Sequence, residues 1–241
     1  MITDFIIKEN AMALYALGDL HLSFSNPEKS QERFGKIWHD HEWKAKKNIE
    51  KLVKPEDTIV LTGDHSWGNN LVQCKRDLDF IEAFPGRKIL LRGNHDHFWP
   101  ANKTRKLNDI FDGRLYFLQN NFYTYKDYAL VGTKGFCFEG PFYVDRRNGM
   151  ITGYDKDAYE HAKVLVEREK KRLMTGIDAA RAAGYSKFII FLHYPPTSII
   201  ETDSAFTRIA EEISAEQVIY SHSHGKERFH DSIQGRYHGV K

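Results

Sequence analysis

At 241 residues, with 41% apolar and 28% charged side chains, the chain can bury a substantial core and lacks the composition of a disordered protein. A formal net charge of +2 is close to balance and gives no basic stripe of the kind that announces duplex DNA binding, a local patch staying open, so nucleic acid is open as a partner but not indicated. The opening MITDFIIKENAMALYALGDLHL has no basic segment or small-residue cleavage site, and its apolar runs are too short to cross a bilayer. A cytoplasmic protein with no membrane partner is expected.

In chain order, ALYALG (13–18) reads as the first strand, followed by helical periodicity over 30–53 and a second strand, TIVLTG (58–63). A helix over 71–84, with Asn69 or Asn70 as its cap, precedes strand KILLRG (88–93), a helix over 103–111 and strand LYFL (115–118). FYTYKDYALVG (122–132) suggests a hairpin turning at Lys126 and Asp127. An irregular stretch, 134–154, leads to a long helix over 156–183 with an apolar stripe at Ala158, Ala162, Leu165, Val166 and Leu173. Strand KFIIFLH (187–193), a helix over 205–213 and strand QVIYSH (217–222) complete the order. The continuous apolar runs predict strands buried on both faces. No linker composition or internal repeat divides the chain, so one domain is expected over 1–241, with 134–185 as a capping insertion at the mouth of a site. Cys74 and Cys137 are expected to be reduced packing residues.

Five polar clusters stand at or near strand ends: GDLH (18–21), GDH (63–65), GNHD (93–96), His193 in FLHYPP, and SHSH (221–224). Asp19, His21, Asp64, Asn94, His193, His222 and His224 are oxygen or imidazole donors, and together they read as a two-metal site. On an extended segment, residues two apart face one side, so Asp19 with His21 and His222 with His224 each form a clamp. Asp64, with two carboxylate oxygens, suits a bridge between two cations, and Gly93 permits a sharp turn before Asn94 and His95. Taken singly, a GD after an apolar run is an ordinary strand end, and a lone histidine is an ordinary core residue. Their order along the chain carries the metal reading.

In that order, DxH, GD, GNHD, an isolated His and HxH resemble the calcineurin-like metallophosphoesterases, with the match running from Asp19 to His224. The surroundings GDHSW, GNHDHFW and FLHYPP resemble a group of small bacterial predicted phosphohydrolases. The resemblance implies an α/β fold, a four-layer α/β/β/α sandwich of two mixed sheets flanked by helices. It also implies two divalent ions, with Asp19, His21 and His224 on one, Asn94, His193 and His222 on the other, and Asp64 bridging. Manganese is favoured, with iron or zinc as alternatives, because the donors include no thiolate. Asp64 and His95 are the catalytic candidates, His95 as acid or charge stabiliser for hydrolysis of a phosphate ester. The substrate expected is a small phosphorylated molecule, with a lean toward a nucleotide or other small diester. A phosphomonoesterase and a catalytically silent metal-bearing scaffold are the alternatives.

Arg92, His65, Trp67 and Trp99 are candidates for substrate contact, the rings as a stacking wall and the arginine as a phosphate clamp; core packing is the competing reading for the rings. Arg146 and Arg147 are further clamp candidates. Ser221 stands where the resemblance expects a glycine, which raises the question of how the turn into the last His pair is made. The chain ends at Lys241, soon after His224, so the second sheet is expected either to lack an edge or to find it elsewhere. Oligomeric state is open.

Overall fold

The computed structural model describes residues 12–137, 142–145, 147–148, 150–198, 200–224 and 231–241. The chain forms two compact units, Met1–Leu118 and Gln119–Lys241. Among the described residues, no helix is long and apolar enough to cross a membrane.

The first unit runs β1 (Leu14–Leu17), α1 (His41–Leu52), β2 (Thr58–Leu61), α2 (Leu71–Glu82), β3 (Arg87–Leu91), α3 (Thr104–Phe111) and β4 (Tyr116–Leu118). Its sheet has the order β1-β2-β3-β4 and is parallel throughout, with Leu14 opposite Thr58, Thr58 opposite Arg87 and Ile89 opposite Tyr116. A parallel sheet needs helical crossovers on its faces, and the apolar run TIVL is accordingly buried at all four positions. Ile49 of α1, Cys74, Leu78 and Ile81 of α2 and Leu107 of α3 share one core with Ile59, Leu61, Leu90 and Phe117 of the strands. Asn70 is the cap of α2, its side chain accepting from Gln73 N at 3.1 Å. The helix expected over 30–53 begins only at His41. Before it, short 3₁₀ turns are interrupted by Gly35 at φ 123° and by Asp40 in the left-handed region at φ 51°, conformations that stop an α-helix from propagating.

A polar network sits inside this core. Asp77 of α2 is fully buried and accepts from Phe24 N at 2.9 Å and from the Ser66 hydroxyl, and Ser66 Oγ in turn accepts from Gly68 N at 3.0 Å. Burial raises the Asp77 carboxyl above its ordinary value, with the Ser66, Phe24 and Arg76 interactions offsetting part of that rise. Cys74 beside it is free, and burial pushes its thiol up to about 12, which makes it a packing residue rather than a nucleophile.

The second unit runs β5 (Phe122–Tyr125), β6 (Tyr128–Thr133), β7 (Phe142–Asp145), β8 (Met150–Tyr154), α4 (Lys156–Ala182), β9 (Lys187–Leu192), α5 (Ala205–Glu212) and β10 (Gln217–Ile219). Its sheet, β10-β9-β6-β5, is mixed: β5 and β6 form the expected hairpin through Lys126 at φ 51°, while β6, β9 and β10 are parallel. The α/β architecture of two helix-flanked sheets is therefore present; among the described residues the strands of the first sheet run parallel and those of the second are mixed. Val218 N donates to Lys241 O at 2.9 Å, so the C-terminal residue pairs with β10. The stretch read as irregular contains a two-stranded ribbon, β7-β8, whose residues Tyr143, Met150, Ile151 and Tyr154 are exposed. Without a buried face it shows no alternating pattern.

Along α4 the buried positions are Ala162, Val166, Glu169, Leu173, Gly176, Ile177 and Ala180, spaced by three and four as one helix face requires; Ala158 lies outside the stripe. Glu169 is fully buried because it is paired, accepting from Thr133 Oγ1 and Arg172 Nη1, each at 2.5 Å. Gly176 is there for space: a Cβ at that position would lie 2.6 Å from the backbone oxygen of Asn121.

Gly176→Ala should therefore lower the melting temperature, although alanine is the better helix former by about 1 kcal/mol, because overpacking against backbone costs about 1–3 kcal/mol. A thermal melt that rises would show that α4 shifts to accommodate the methyl. Asp77 gives a pH signature of definite sign. Its raised folded-state value means that the native protein holds this proton more tightly than the unfolded chain, so its charged form costs stability at neutral pH and that cost is relieved on acidification. Relative to Asp77→Asn, the wild type should gain melting temperature as pH falls from about 7 toward 4. A difference that moves the other way would contradict the assignment.

Candidate metal centre

In the first unit, β1 and β2 stop at Leu17 and Leu61, yet the two chains remain hydrogen-bonded beyond those ends. Asp19 N donates to Gly63 O at 3.0 Å, His21 N to Asp64 O at 2.8 Å and Leu22 N to His65 O at 2.9 Å. The backbone there is not extended. Asp19, His21 and Asp64 have φ of 58°, 44° and 55°, so left-handed turns, rather than strand alternation, put their side chains together. His21 Nε2 lies 3.7 Å from Asp19 Oδ1 and 3.7 Å from Asp64 Oδ2. That is too long for a hydrogen bond and within the span of two donors each about 2.0–2.2 Å from one ion. His21 and Asp64 are almost wholly buried, and Asp19 is mostly so.

The carboxylate of GNHD, Asp96, to which sequence reasoning gave no role, organises this end of the sheet. Asp96 is fully buried and accepts from Asp64 N at 3.0 Å, Gly93 N at 2.7 Å and His65 N at 2.8 Å. Asp64 reciprocates across the same gap, its Oδ1 accepting from His95 N at 2.8 Å. The two turns approach so closely that a Cβ on Gly93 would meet Asp64 Oδ1 at 2.1 Å and Asp64 N at 2.3 Å. Gly93 has no positive φ, so the glycine is required for clearance and not, as expected, for a sharp turn. The signal available in the sequence was an acidic residue one turn beyond a glycine that follows a strand.

Asn94 and His95 are half-buried in the turn after β3. The His95 ring lies 5.7 Å from that of His21 and 4.3 Å from that of Trp67, and Trp67 stacks on His21 at 5.1 Å and 22°. Of the four expected substrate contacts, Trp67 is thus the ring held against the donor residues. His65 is fully buried, its Nε2 2.8 Å from Leu91 O, and Trp99 is fully buried edge-on to Phe117 with Nε1 donating to Thr104 Oγ1 at 3.1 Å. Both belong to the frame of the unit. Arg92 is half-buried, and its Nε donates to Trp99 O at 2.7 Å. A different cation, Arg33, places its guanidinium 5.9 Å from the Trp67 ring, and Lys29 Nζ donates to Trp67 O at 3.2 Å. Neither was legible as a site residue, because they lie in irregular 3₁₀ turns far from the motifs. Arg147 pairs with Asp145 at 3.0 Å on the surface, and Arg146 lies outside the described residues.

The second unit contributes imidazoles from the ends of β9 and β10. His193 is fully buried, with Nε2 3.2 Å from His222 Nδ1 and Nδ1 3.2 Å from Ser221 Oγ. His222 is left-handed at φ 69°, and His224 is exposed, its N–H donating to His222 O at 2.8 Å. The left-handed residue of this turn is His222 and not Ser221, so a serine in place of glycine introduces no backbone strain.

Carboxylate and imidazole donors beyond the strand ends of each unit's sheet are the mark of a metal-dependent enzyme class, and Asp19, His21, Asp64, His193, His222 and His224 are all among the donors able to hold an ion. The model of the calcineurin-like phosphoesterase family matches residues 12–226, and the chain belongs to that family. It is accordingly a metal-dependent phosphoric ester hydrolase. No curated protein matches the chain. Among solved structures, it is similar to a protein of unknown function from Aquifex aeolicus, at 18% identity over 88% of this chain and 90% of that one, with a TM-score of 0.38. It is also similar to phosphopantetheinyl hydrolase from Mycobacterium tuberculosis, at 14% identity over 95% of this chain and 86% of that one, with a TM-score of 0.49.

Asp96→Asn keeps the shape of the carboxyl group but replaces an acceptor oxygen with a donor facing backbone N–H groups. It should destabilise the protein by about 2–4 kcal/mol and reduce bound metal at a fixed metal concentration. Denaturant melts and metal analysis check this, and wild-type values in both would show that the three contacts carry no weight.

Proposed function

We propose that the chain hydrolyses a small phosphate diester at a two-metal centre. In this reading Asp19, His21 and His224 hold one ion, Asn94, His193 and His222 hold the other, and Asp64 reaches both. The observation that carries it is the donor chemistry. In one unit a buried imidazole stands 3.7 Å from each of two carboxylates, and in the other two imidazole nitrogens converge at 3.2 Å. Such groups are costly to bury together unless a cation neutralises and ligates them. Carboxylate, amide and imidazole without thiolate favours manganese, with iron or zinc as the nearest alternatives. When bound, the ions supply Lewis acidity at the phosphoryl oxygens and an acidified water.

The remaining work falls to protein side chains. Asp64 orients the turn that carries His95 through the 2.8 Å bond from His95 N to its Oδ1, and so couples the bridging position to the proposed acid. The His95 side chain delivers a proton to the departing oxygen, which a diester with a poor leaving group requires. Trp67, packed on His21 and His95, offers a flat apolar surface for the leaving group, and Arg33 beside it offers positive charge.

The test is Mn²⁺-dependent hydrolysis of a chromogenic diester and the corresponding monoester by wild type, Asp64→Asn and His95→Ala. The diester should be preferred, Asp64→Asn should abolish turnover, and His95→Ala should keep its metal and fold while losing about 10²–10⁴ in kcat on a diester whose leaving group is a poor alkoxide. Monoester preference would make the protein a phosphatase. Full activity in His95→Ala would remove the proposed acid from the reaction.

A further inference from the structure

The two strands that carry the second unit's histidines run in step. Ile219 of β10 is opposite Phe191 of β9, and two residues further on Ser221 N donates to His193 O at 3.2 Å. Register partners on parallel strands project their side chains to the same face, and the Ser221 hydroxyl accordingly lies 3.2 Å from His193 Nδ1. The other ring nitrogen of His193, Nε2, lies 3.2 Å from His222 Nδ1. His193 is fully buried, so its protonation pattern is set by these neighbours rather than by bulk water.

A neutral imidazole carries one N–H, and only its bare nitrogen can donate a lone pair to a cation. Two tautomers are available to His193. With the proton on Nε2, the ring points an N–H at His222 and presents no lone pair there. With the proton on Nδ1, the ring needs an acceptor at that position, and a serine oxygen meets the need while leaving Nε2 bare. We propose that Ser221 is the positioning residue that fixes His193 as its Nδ1–H tautomer and so aims the Nε2 lone pair at a metal ion. The assignment rests on the metal-centre reading above. It also accounts for a serine at this position: an alanine or glycine has no oxygen to accept the proton, and the backbone would admit any of the three because the left-handed turn falls on His222.

An acceptor behind a histidine ligand typically tunes metal affinity by 10–100-fold. Calorimetric titration of metal-stripped protein with Zn²⁺ should therefore show one binding step weakened by about 10–100-fold in Ser221→Ala and Ser221→Gly, with Ser221→Thr restored to within a few-fold of wild type. Nitrogen-15 spectra of the zinc-loaded wild type should place the His193 proton on Nδ1. Circular dichroism of each metal-free variant separates a lost acceptor from a lost fold, and the threonine variant keeps the test alive if alanine or glycine misfolds. Equal zinc affinity in folded Ser221→Ala and wild type would overturn the role of Ser221 while leaving the metal centre intact, as would a proton found on Nε2. Absence of zinc binding by the wild type would overturn both.

Discussion

Two strand ends in the first unit leave backbone N–H groups of Asp64, His65 and Gly93 pointing into an interior where water cannot reach them, and the Asp96 carboxylate accepts all three. An unmet buried donor costs about 1–3 kcal/mol, so the position of Asp96 constrains the path of both turns at once. Asp64 returns the bond through His95 N, closing a reciprocal clamp that Gly93 alone has the clearance to enter. Several of the first unit's candidate site residues are tied to this clamp: Asp64 is inside it, Asn94 and His95 are on its loop, and His21 N donates to Asp64 O. A charged acceptor suits the task because hydrogen bonds to ionised groups are the stronger kind.

The clamp also explains how the unit tolerates strain where function requires it. Ten described non-glycine residues have positive φ, and Asp19, His21, Asp64 and His222 are among them. A non-glycine residue in a sparsely populated region costs on the order of 1–3 kcal/mol, and such a cost persists only where the surroundings over-determine the backbone. They do so here by continuing the ladder between the chains after β1 and β2 beyond the last regular strand residue, and by surrounding those chains with apolar layers from α1, α2 and α3. Carboxylates and an imidazole that are costly to bury together are thereby held 3.7 Å apart by the backbone. That is preorganisation placed in the backbone, where side-chain entropy cannot erode it.

The same logic separates what could be read from the residues alone from what could not. Strand positions were legible because TIVL and KFIIFL are continuous apolar runs, and a strand buried on both faces leaves no other signature. The donors were legible because Asp and His immediately after such runs have no structural reason to be there in series. How the donors meet was not legible. Alternation on an extended strand predicts the correct pairs for Asp19 and His21, yet the backbone achieves it through left-handed turns, which no local pattern of residue types announces. Asp96 was missed for a related reason: its partners are main-chain groups, and main-chain groups look alike in any sequence. His65 and Trp99 looked like site residues through proximity in sequence, but one residue along a turn is enough to swing a side chain from the site into the core.

A division of labour follows for the surroundings of the donors. The candidate donors lie close to strand ends, most of them buried or half-buried, and they are therefore written in compact motifs. Groups that meet the rest of a substrate must keep exposed surface, and on the proposed reading those of the first unit come from elsewhere: Trp67 is half-buried, and Arg33 reaches it from the 3₁₀ turns before α1. That segment has no helical or strand periodicity to conserve its register, so its side chains can change without disturbing the sheet. Trp67 links the two regimes. One of its neighbours is His21, a donor fixed by the ladder, and another is Arg33, a cation on the surface. On the proposed reading, a change in the turn over Gln31–Phe34 would reach the substrate through Arg33 and Trp67 while leaving the Asp96 clamp as it is, which is how one metal core can serve esters of different shape.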